Sequence, residues 1–307
     1  MEPHAVRLWP SLLEVMAPER PRRRLRASLA WRILVVGVIL VAGVAWVLLT
    51  RDVVRDWDRL QVNAERARRL TYAATGKPLP GTPDLEALTS RLADNGVTLG
   101  APIFIRIFKR EFELELWMKR DDRFHRFAVY PICRWSGELG PKLAQGDSQA
   151  PEGFYTVDAK ALNPNSRWHR SFNLGFPNAF DRAHKRTGSY LMVHGGCSSV
   201  GCYAMTDPVV DEIWRIINAA LKGRQQRFHV HVFPFRMTDE NLALRDHMQW
   251  APFWRDLKHG YDLFENTQLP PRISVCQGRY AVSPAPSGGD ASHEIDTQCP
   301  VGTAAKS

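Results

Sequence analysis

The sequence predicts a mainly β domain with a few helices, preceded by one transmembrane helix and a helical stalk. Three observations lead to this fold class. An uncharged apolar run occupies residues 33–50. Side chains alternate with the period of a β-strand between residues 103 and 131, and again over 228–233. Apolar positions at helical spacing are confined to a few segments, and neither an internal repeat nor a strand–helix–strand rhythm runs through the chain.

The composition excludes several classes of protein. Of the 307 residues, 44% are hydrophobic and 24% are charged, which is ordinary for a globular protein and excludes wholesale disorder or a fibrous chain. The net charge of +9 is compatible with nucleic-acid binding. However, residues 1–32 contain seven arginines and three glutamates, so a charge of +4 lies ahead of the apolar run. The basic excess is therefore most simply a membrane topology signal, and we expect no nucleic-acid partner.

The apolar run is long enough to be a membrane anchor. Eighteen helical residues span about 27 Å, close to the hydrocarbon thickness of a bilayer. By the positive-inside tendency, residues 1–32 form a cytoplasmic basic tail, residues 33–50 cross the inner membrane, and the domain that follows lies in the periplasm. Two alternatives are a buried core helix and a cleaved signal peptide, for which Ala-Gly-Val-Ala at 42–45 is a tolerable cleavage site. The long charged region and the length of the run favour the anchor.

Residues 51–83 are predicted to form a helical stalk and a linker. The apolar positions of the stalk recur at spacings of four and three, and they are Val53, Trp57, Leu60, Ala64, Ala67 and Leu70. A short dimeric coiled coil also fits this spacing, although it covers fewer than three heptads. The breaker cluster Gly76–Pro83 predicts the linker.

The main domain is expected over residues 84–265. Its predicted strands include 103–108, 112–117 and 228–233. Helices are predicted at about 207–222, which begins at Thr206-Asp207-Pro208 and stops at Gly223, and at about 239–249. Residues 266–307 are expected to be a C-terminal tail that is largely disordered, since its end is rich in Pro, Gly, Ser and Ala.

The most informative stretch runs from His194 to Met205 and reads His-Gly-Gly-Cys-Ser-Ser-Val-Gly-Cys-Tyr-Ala-Met. It follows a predicted strand and precedes a predicted helix. A cysteine is nucleophilic as a thiolate, and a nearby histidine or helix N-terminus promotes that form. Small residues around Gly201 let backbone N–H groups approach a developing oxyanion. The spacing predicts a Cys–His catalytic pair, but a glycine-rich turn with buried structural cysteines also fits it.

This stretch resembles the L,D-transpeptidase (YkuD-type) catalytic domain family. The family signature, His-Gly followed by Ser-x-Gly-Cys, matches His194-Gly195 and Ser199-Val200-Gly201-Cys202. Residues 140–155 resemble the family's Gly…Thr-Pro-x-Gly-x-Phe segment. Other stretches are similar to one branch, which includes an enzyme that releases a covalently attached lipoprotein from peptidoglycan; they are 99–109, 172–181 and 201–206. The resemblance covers roughly residues 84–255 and implies a β-rich L,D-transpeptidase catalytic domain.

The resemblance also implies roles for individual residues. Cys202 would be the nucleophile and His194 the base, with the Gly195 carbonyl orienting the imidazole. The backbone N–H groups of Val200, Gly201 and Cys202 would line the oxyanion hole. Candidate substrate-binding residues are Ser199, Tyr203, Arg182, Arg186 and His231.

Two departures from the family pattern affect these expectations. Tyr203 and Ala204 stand where many members place Arg or Asn, so the group that recognises the substrate carboxylate is unassigned. The separation of His194 and Cys202 is eight residues rather than about sixteen, which opens or reshapes the acceptor side of the site. For Arg182 and Arg186, a solvated surface position is the alternative.

Three functions follow as hypotheses. The first is a peptidoglycan L,D-transpeptidase that forms an acyl-enzyme at the third residue of a stem peptide. The second is an amidase of the same fold that releases a protein, such as a wall-attached lipoprotein, from peptidoglycan. The third is a wall-binding protein without turnover, against which the intact Cys202 and His194 argue.

The remaining cysteines and histidines leave further alternatives. Cys276 and Cys299 are expected to pair, and Cys133 and Cys197 either pair or stay as buried thiols. A reversible Cys197–Cys202 bond that switches activity off is a third arrangement. His229-Val230-His231 is a common metal-ligand spacing and raises a zinc peptidase as a rival. Because no HExxH motif accompanies it, we expect strand histidines, no metal and no cofactor.

Overall fold

The computed structural model describes residues 24–285, 293 and 295. These residues belong to two compact units, one ending at Asp52 and one beginning at Val53. Helix α1 spans Arg24–Ala74. Within it, Ala30–Val47 has a mean hydropathy of 2.2 and no buried side chain, so by length and composition it is able to cross a membrane; a signal sequence has the same properties. Most of the predicted cytoplasmic tail, residues 1–23, lies outside the described residues.

The described part of the second unit contains five further α-helices, one short 3-10 helix (Ala159–Ala161) and twelve strands. The helices are α2 (Leu88–Asp94), α3 (Ala179–Ala183), α4 (Asp207–Lys222), α5 (Asp239–Ala243) and α6 (Ala251–Thr267). The strands are β1 (Ile103–Phe108), β2 (Glu113–Arg120), β3 (Arg123–Pro131), β4 (Arg134–Trp135), β5 (Gly153–Asp158), β6 (Leu162–Ser166), β7 (His169–Asn173), β8 (Met192–His194), β9 (Tyr203–Ala204), β10 (Arg227–Phe233), β11 (Arg272–Cys276) and β12 (Arg279–Ser283). The expected β-rich domain is confirmed.

Two five-stranded mixed sheets form the body of the domain. The first has the order β3-β2-β1-β10-β5, and the second has the order β4-β9-β8-β7-β6. Each sheet contains one parallel pair, β1 with β10 in the first and β8 with β9 in the second. Strands β11 and β12 form a separate antiparallel hairpin.

Strand β1 explains how the first sheet divides the core. Its residues alternate between two apolar clusters, and all six are buried because helices cover both faces. Ile103, Ile105 and Ile107 share a cluster with apolar residues of α4. Phe104 and Phe108 lie on the other side, against residues of α6. The predicted period of two is thus confirmed.

The helix predictions hold for one segment and fail in part for another. Helix α4 has the predicted bounds. The helix predicted at 239–249 ends at Ala243, and the chain then turns at Arg245, whose guanidinium binds Asp58 of α1. A new helix, α6, begins at Ala251 with Pro252 in its first turn, where a missing N–H costs little.

The predicted helical stalk is confirmed, and its charged face rather than its apolar face packs against the rest of the domain. All six residues of the predicted apolar face are exposed. The opposite face of α1, beyond Val53, contacts the domain instead. It does so with charged groups, because Asp58, Arg66 and Arg69 bind side chains or carbonyl groups of the domain.

The tail prediction is wrong for its first part. Strands β11 and β12 lie inside residues 266–307, and Tyr280 of β12 is buried against Phe154. Their alternating apolar residues bury against α6 and the first sheet, so the domain continues to Ser283. Residues 286–292, 294 and 296–307 lie outside the described residues, as does the predicted partner Cys299; Cys276 is disulfide-bonded.

Candidate active site

The second sheet brings His194 and Cys202 to the same place. His194 is the last residue of β8, and Cys202 comes immediately before β9. These strands are parallel, with Val193 opposite Tyr203 and His194 opposite Ala204. Cys202 therefore lies beside Met192, two residues from His194 along the strand and on the same face. This register is what makes a separation of eight residues workable for the pair.

The orientation of His194 is set by its own neighbour. Its Nδ1 lies 2.5 Å from the carbonyl oxygen of Gly195. Because a carbonyl only accepts, Nδ1 carries the proton and Nε2 keeps its lone pair. Burial lowers the pKa of His194 below its usual value, against a smaller opposing effect of the Gly195 carbonyl. The imidazole is thus neutral at pH 7 and able to accept a proton at Nε2.

Trp168 covers the ring of His194. The two rings stack with centroids 6.3 Å apart and an interplanar angle of 29°. Trp168 comes from the turn between β6 and β7 and is itself 42% exposed. A Cβ on Gly196 would lie 3.0 Å from the indole, so the glycine allows this close approach. Sequence analysis did not identify Trp168, because the β6–β7 hairpin carries no motif.

The thiol of Cys202 is held by backbone groups. Met192 N–H donates to Sγ at 3.4 Å, and Sγ lies 3.7 Å from the carbonyl oxygen of Tyr190. Burial raises the pKa of the Cys202 thiol, and the Met192 N–H and the Lys142 charge oppose that rise. These directions favour a neutral thiol and a neutral imidazole in the resting pair.

The turn before Cys202 is fixed by two serine hydroxyls. Ser199 Oγ accepts the Cys202 N–H at 3.1 Å and donates to the Cys202 carbonyl at 2.7 Å. Gly201 has a φ of +96°, which favours glycine, and its N–H donates to Ser136 Oγ. Two of the three N–H groups expected to line the oxyanion hole are thus bonded to hydroxyls. Val200 is 79% exposed at the tip of this turn.

A disulfide joins the catalytic turn to the strand beside it. Cys197 is bonded to Cys133, which confirms one of the alternatives for this pair. The backbone adds to this link, because Cys133 N–H donates to the Ala204 carbonyl. Cys202 is a free thiol. Since the Cys197 sulfur is already used, the alternative Cys197–Cys202 bond is absent here.

Four of the candidate substrate-binding residues do not face the nucleophile. Tyr203 is fully buried and its hydroxyl donates to the Pro151 carbonyl at 2.7 Å. Arg186 is buried in an ion pair with Asp181, and the exposed Arg182 donates to the Pro177 carbonyl. Each of these side chains is engaged by local contacts, and its role in substrate binding stays a prediction.

His231 is the fourth of these residues, and it is fully buried on β10. Its ring packs at 4.7 Å from Phe104 and 4.5 Å from Phe154, away from His194 and Cys202. Burial lowers its pKa well below the usual value, so it is a neutral core residue. Within the described part of the chain, no group of three or more His, Cys, Asp or Glu side chains is placed to hold a metal ion.

Exposed apolar side chains border the site. Tyr190 is 76% exposed and stands beside the thiol in a left-handed conformation, with a φ of +57°. With Trp168 and Val200 it forms what we call the apolar rim. The buried ammonium of Lys142 lies next to the same loop, since a Cβ on Gly188 would be 2.7 Å from its Cε. The sequence carried no signal for either feature.

Fold and site together define a class, a β-rich catalytic domain with a cysteine and a histidine at the ends of two parallel strands. The chain belongs to the L,D-transpeptidase catalytic domain family (YkuD), which matches residues 105–232. A provisionally named L,D-transpeptidase, YafK from Escherichia coli (strain K12), is 48% identical over 185 residues, covering 60% of this chain and 75% of that protein. YafK from Escherichia coli O157:H7 matches to the same extent.

Solved structures of lower similarity were also found. The helical cell shape determining protein Pgp2 from Campylobacter jejuni has a TM-score of 0.36 and 18% identity, covering 57% of this chain and 66% of that chain. Bd1075 from Bdellovibrio bacteriovorus has a TM-score of 0.33 and 14% identity, covering 56% of this chain and 76% of that chain.

Proposed function

We propose that this protein is a peptidoglycan L,D-transpeptidase that forms an acyl-enzyme on Cys202. The observation that carries the proposal is the parallel register of β8 and β9, which places the neutral His194 and the free Cys202 on one face. Family membership supplies the substrate class, the stem peptides of peptidoglycan.

The reaction begins with general-base catalysis. As Sγ attacks the carbonyl carbon of the third stem residue, His194 Nε2 takes the thiol proton and the S–C bond forms. The tetrahedral intermediate collapses when the C–N bond to D-alanine breaks, and the imidazolium returns the proton to the leaving amine. An acceptor amine then attacks the thioester by the same route and releases the Cys202 thiol.

The charge state of the pair fits this order of events. Burial disfavours both the thiolate and the imidazolium, so neither ion persists before substrate arrives. The Gly195 carbonyl accepts from Nδ1 and stabilises the imidazolium that forms during attack. Disfavouring the ion pair at rest limits reaction of the thiol with other electrophiles.

The test uses the full chain in detergent micelles with disaccharide-tetrapeptides, read by mass. The expected products are D-alanine and 3→3 crosslinked dimers. Cys202→Ala and His194→Gln abolish them, while Ser148→Ala, a change in an exposed residue of the same domain, leaves them unchanged. Full activity of Cys202→Ala would contradict the acyl-enzyme.

A second candidate is an amidase that releases a protein attached to the wall. The apolar rim favours it, because three large exposed apolar side chains border the thiol and leave the acceptor side open to a bulky group. Wall fragments that carry a lipoprotein remnant distinguish the two functions. Loss of the remnant without D-alanine release or 3→3 dimers supports the amidase.

We further infer that the domain works in the periplasm, tethered to the inner membrane through residues 33–50. The apolar helix supports an anchor, and the Cys133–Cys197 disulfide fits an oxidising compartment. Detection of residues 1–32 in the mature membrane fraction supports this arrangement. A mature chain that begins after residue 45 would indicate a cleaved signal peptide.

A further inference from the structure

A hydroxyl from a distant part of the chain is built into the nucleophile turn. Ser136 follows β4 and lies 65 residues before Gly201, yet its Oγ accepts the Gly201 N–H. The same Oγ lies 3.3 Å from Ser199 Oγ. Ser136 is partly exposed, whereas Ser199 is 7% exposed. Ser136 is therefore the less buried residue of this pair.

The direction of these hydrogen bonds follows from counting protons. A hydroxyl has one proton to donate. Ser199 uses its proton on the Cys202 carbonyl at 2.7 Å, so in the contact between the two serines Ser136 is the donor. At 3.3 Å that bond is longer than the usual 2.7–2.8 Å for two oxygens. The Ser136 proton is thus held more weakly than that of Ser199.

This arrangement affects which group can stabilise an oxyanion that forms beside Cys202. The Gly201 N–H, a natural donor to an oxyanion beside Cys202, is already bonded to Ser136 Oγ. A hydroxyl that accepts from an N–H becomes a stronger donor, because the bonds in a chain polarise one another. A weakly held, polarised proton next to the nucleophile is suited to meet a negative charge that forms there.

We propose that Ser136 is a further catalytic residue, whose hydroxyl donates to the oxyanion that forms when Cys202 attacks a carbonyl. As the S–C bond forms, the π electrons of the carbonyl move to its oxygen, and the Ser136 proton turns from Ser199 to that oxygen. Ser136 keeps its proton throughout, and the bond to Ser199 is restored when the intermediate collapses. The proposal deepens the acyl-enzyme mechanism and rests on it.

The test compares two reagents that both modify Cys202. Acylation by p-nitrophenyl acetate passes through an oxyanion, whereas alkylation by iodoacetamide does not. In the full chain, Ser136→Ala is expected to slow acylation by about 10²–10³-fold, as loss of one oxyanion donor does, and to leave alkylation unchanged. Ser136→Thr keeps the hydroxyl and restores acylation, and Ser148→Ala serves as the matched control.

The possible results distinguish the proposed role of Ser136 from the proposed transpeptidase function. Equal acylation rates for the wild-type chain and Ser136→Ala overturn it, and so does a parallel loss of acylation and alkylation, which indicates a disturbed thiol. Neither reagent contains a wall component. A different result would separate the two proposals. If the wild-type chain does not turn over stem peptides but Ser136→Ala still slows acylation, the proposed substrate is wrong and the role of Ser136 is supported.

Discussion

At the scale of single residues, the indole of Trp168 stacks on the imidazole of His194 and covers one of its faces. The imidazole works as a base only when neutral, and its pKa is lowered by burial to which the stacked indole contributes. Activity is present above that lowered pKa and is lost as the pH falls through it. The acid limb of kcat/KM therefore lies below the usual pKa of histidine, about 6.5.

Trp168→Ala is expected to move this acid limb to higher pH. Removing the indole hydrates the imidazole and stabilises its charged form, so its pKa rises toward the ordinary value. The measurement is the pH dependence of kcat/KM for the variant and the wild-type chain. Trp168→Phe keeps an aromatic cover and serves as the control with a smaller shift. A limb that stays in place or moves to lower pH contradicts this role of Trp168.

The candidate site residues that sequence alone could nominate are those defined by local pattern. His194 and Cys202 lie in one short stretch, so their meeting requires only that one strand ends and its neighbour begins. Ser136 and Trp168 reach the site from other strands, and only the register of the second sheet reveals them. Tyr203 was expected to bind substrate, yet its side chain is fully buried, because sequence adjacency does not tell on which face of β9 a side chain lies.

At the scale of elements, one buried ammonium organises the loop between β4 and β5. Lys109 Nζ donates to the carbonyls of Glu138, Gly140 and Ala150, and it binds the carboxylate of Glu152 at 2.9 Å. Both charged side chains are fully buried. This loop begins at Ser136, whose hydroxyl accepts the Gly201 N–H.

Lys109→Met is expected to lower the free energy of unfolding by roughly 3–5 kcal/mol, because it leaves the Glu152 carboxylate buried without its cation. It is also expected to reduce kcat, since the loop that carries Ser136 loses three of its anchors. Urea unfolding and steady-state kinetics check the two effects. In Lys109→Met/Glu152→Gln the buried charge is gone, and part of the stability should return. Unchanged stability in the single variant would contradict the pairing.

Strands and helices were predicted where one period persists. Local signals define these elements. The bounds of β1 and β10 follow from the alternation of their side chains, and the start of α4 follows from its N-terminal residues. The segments that pack against each face of a strand or helix come from distant parts of the sequence. The β11–β12 hairpin was assigned to a disordered tail because its five-residue strands are short, and they gain stability from α6 and Phe154 rather than from their own pattern.

At the scale of the whole molecule, the segment of α1 after Val53 packs against the β-rich domain through buried ion pairs. Its Asp58 carboxylate is 4% exposed and binds the Arg245 guanidinium with two bonds of 2.7 Å. The same carboxylate binds Arg110 at 3.0 Å. The apolar pattern of this helix gives no sign of this contact, because charged side chains at positions that look polar in sequence are neutralised by partners up to 187 residues away.

Asp58→Asn tests whether this contact stabilises the domain. The substitution keeps the shape of the side chain but leaves the Arg245 guanidinium, 2% exposed, without a counter-charge. Loss of one partner from a buried pair typically costs roughly 3–5 kcal/mol. We therefore expect a lower urea midpoint for the full chain in detergent, and faster hydrogen exchange in residues 53–74.

Asp56→Asn is the matched control, because that carboxylate is exposed and lies 3.9 Å from an exposed Arg55. Surface pairs of this kind contribute between about 0 and 1 kcal/mol, so its urea midpoint should barely move. If Asp58→Asn behaves like Asp56→Asn, the helix is held by its few apolar contacts, such as Val62, and the ion pairs add nothing. If it behaves as expected, a version of the domain that starts after residue 74 will be less stable than the full chain, since it leaves Arg245 and Arg110 without their shared carboxylate.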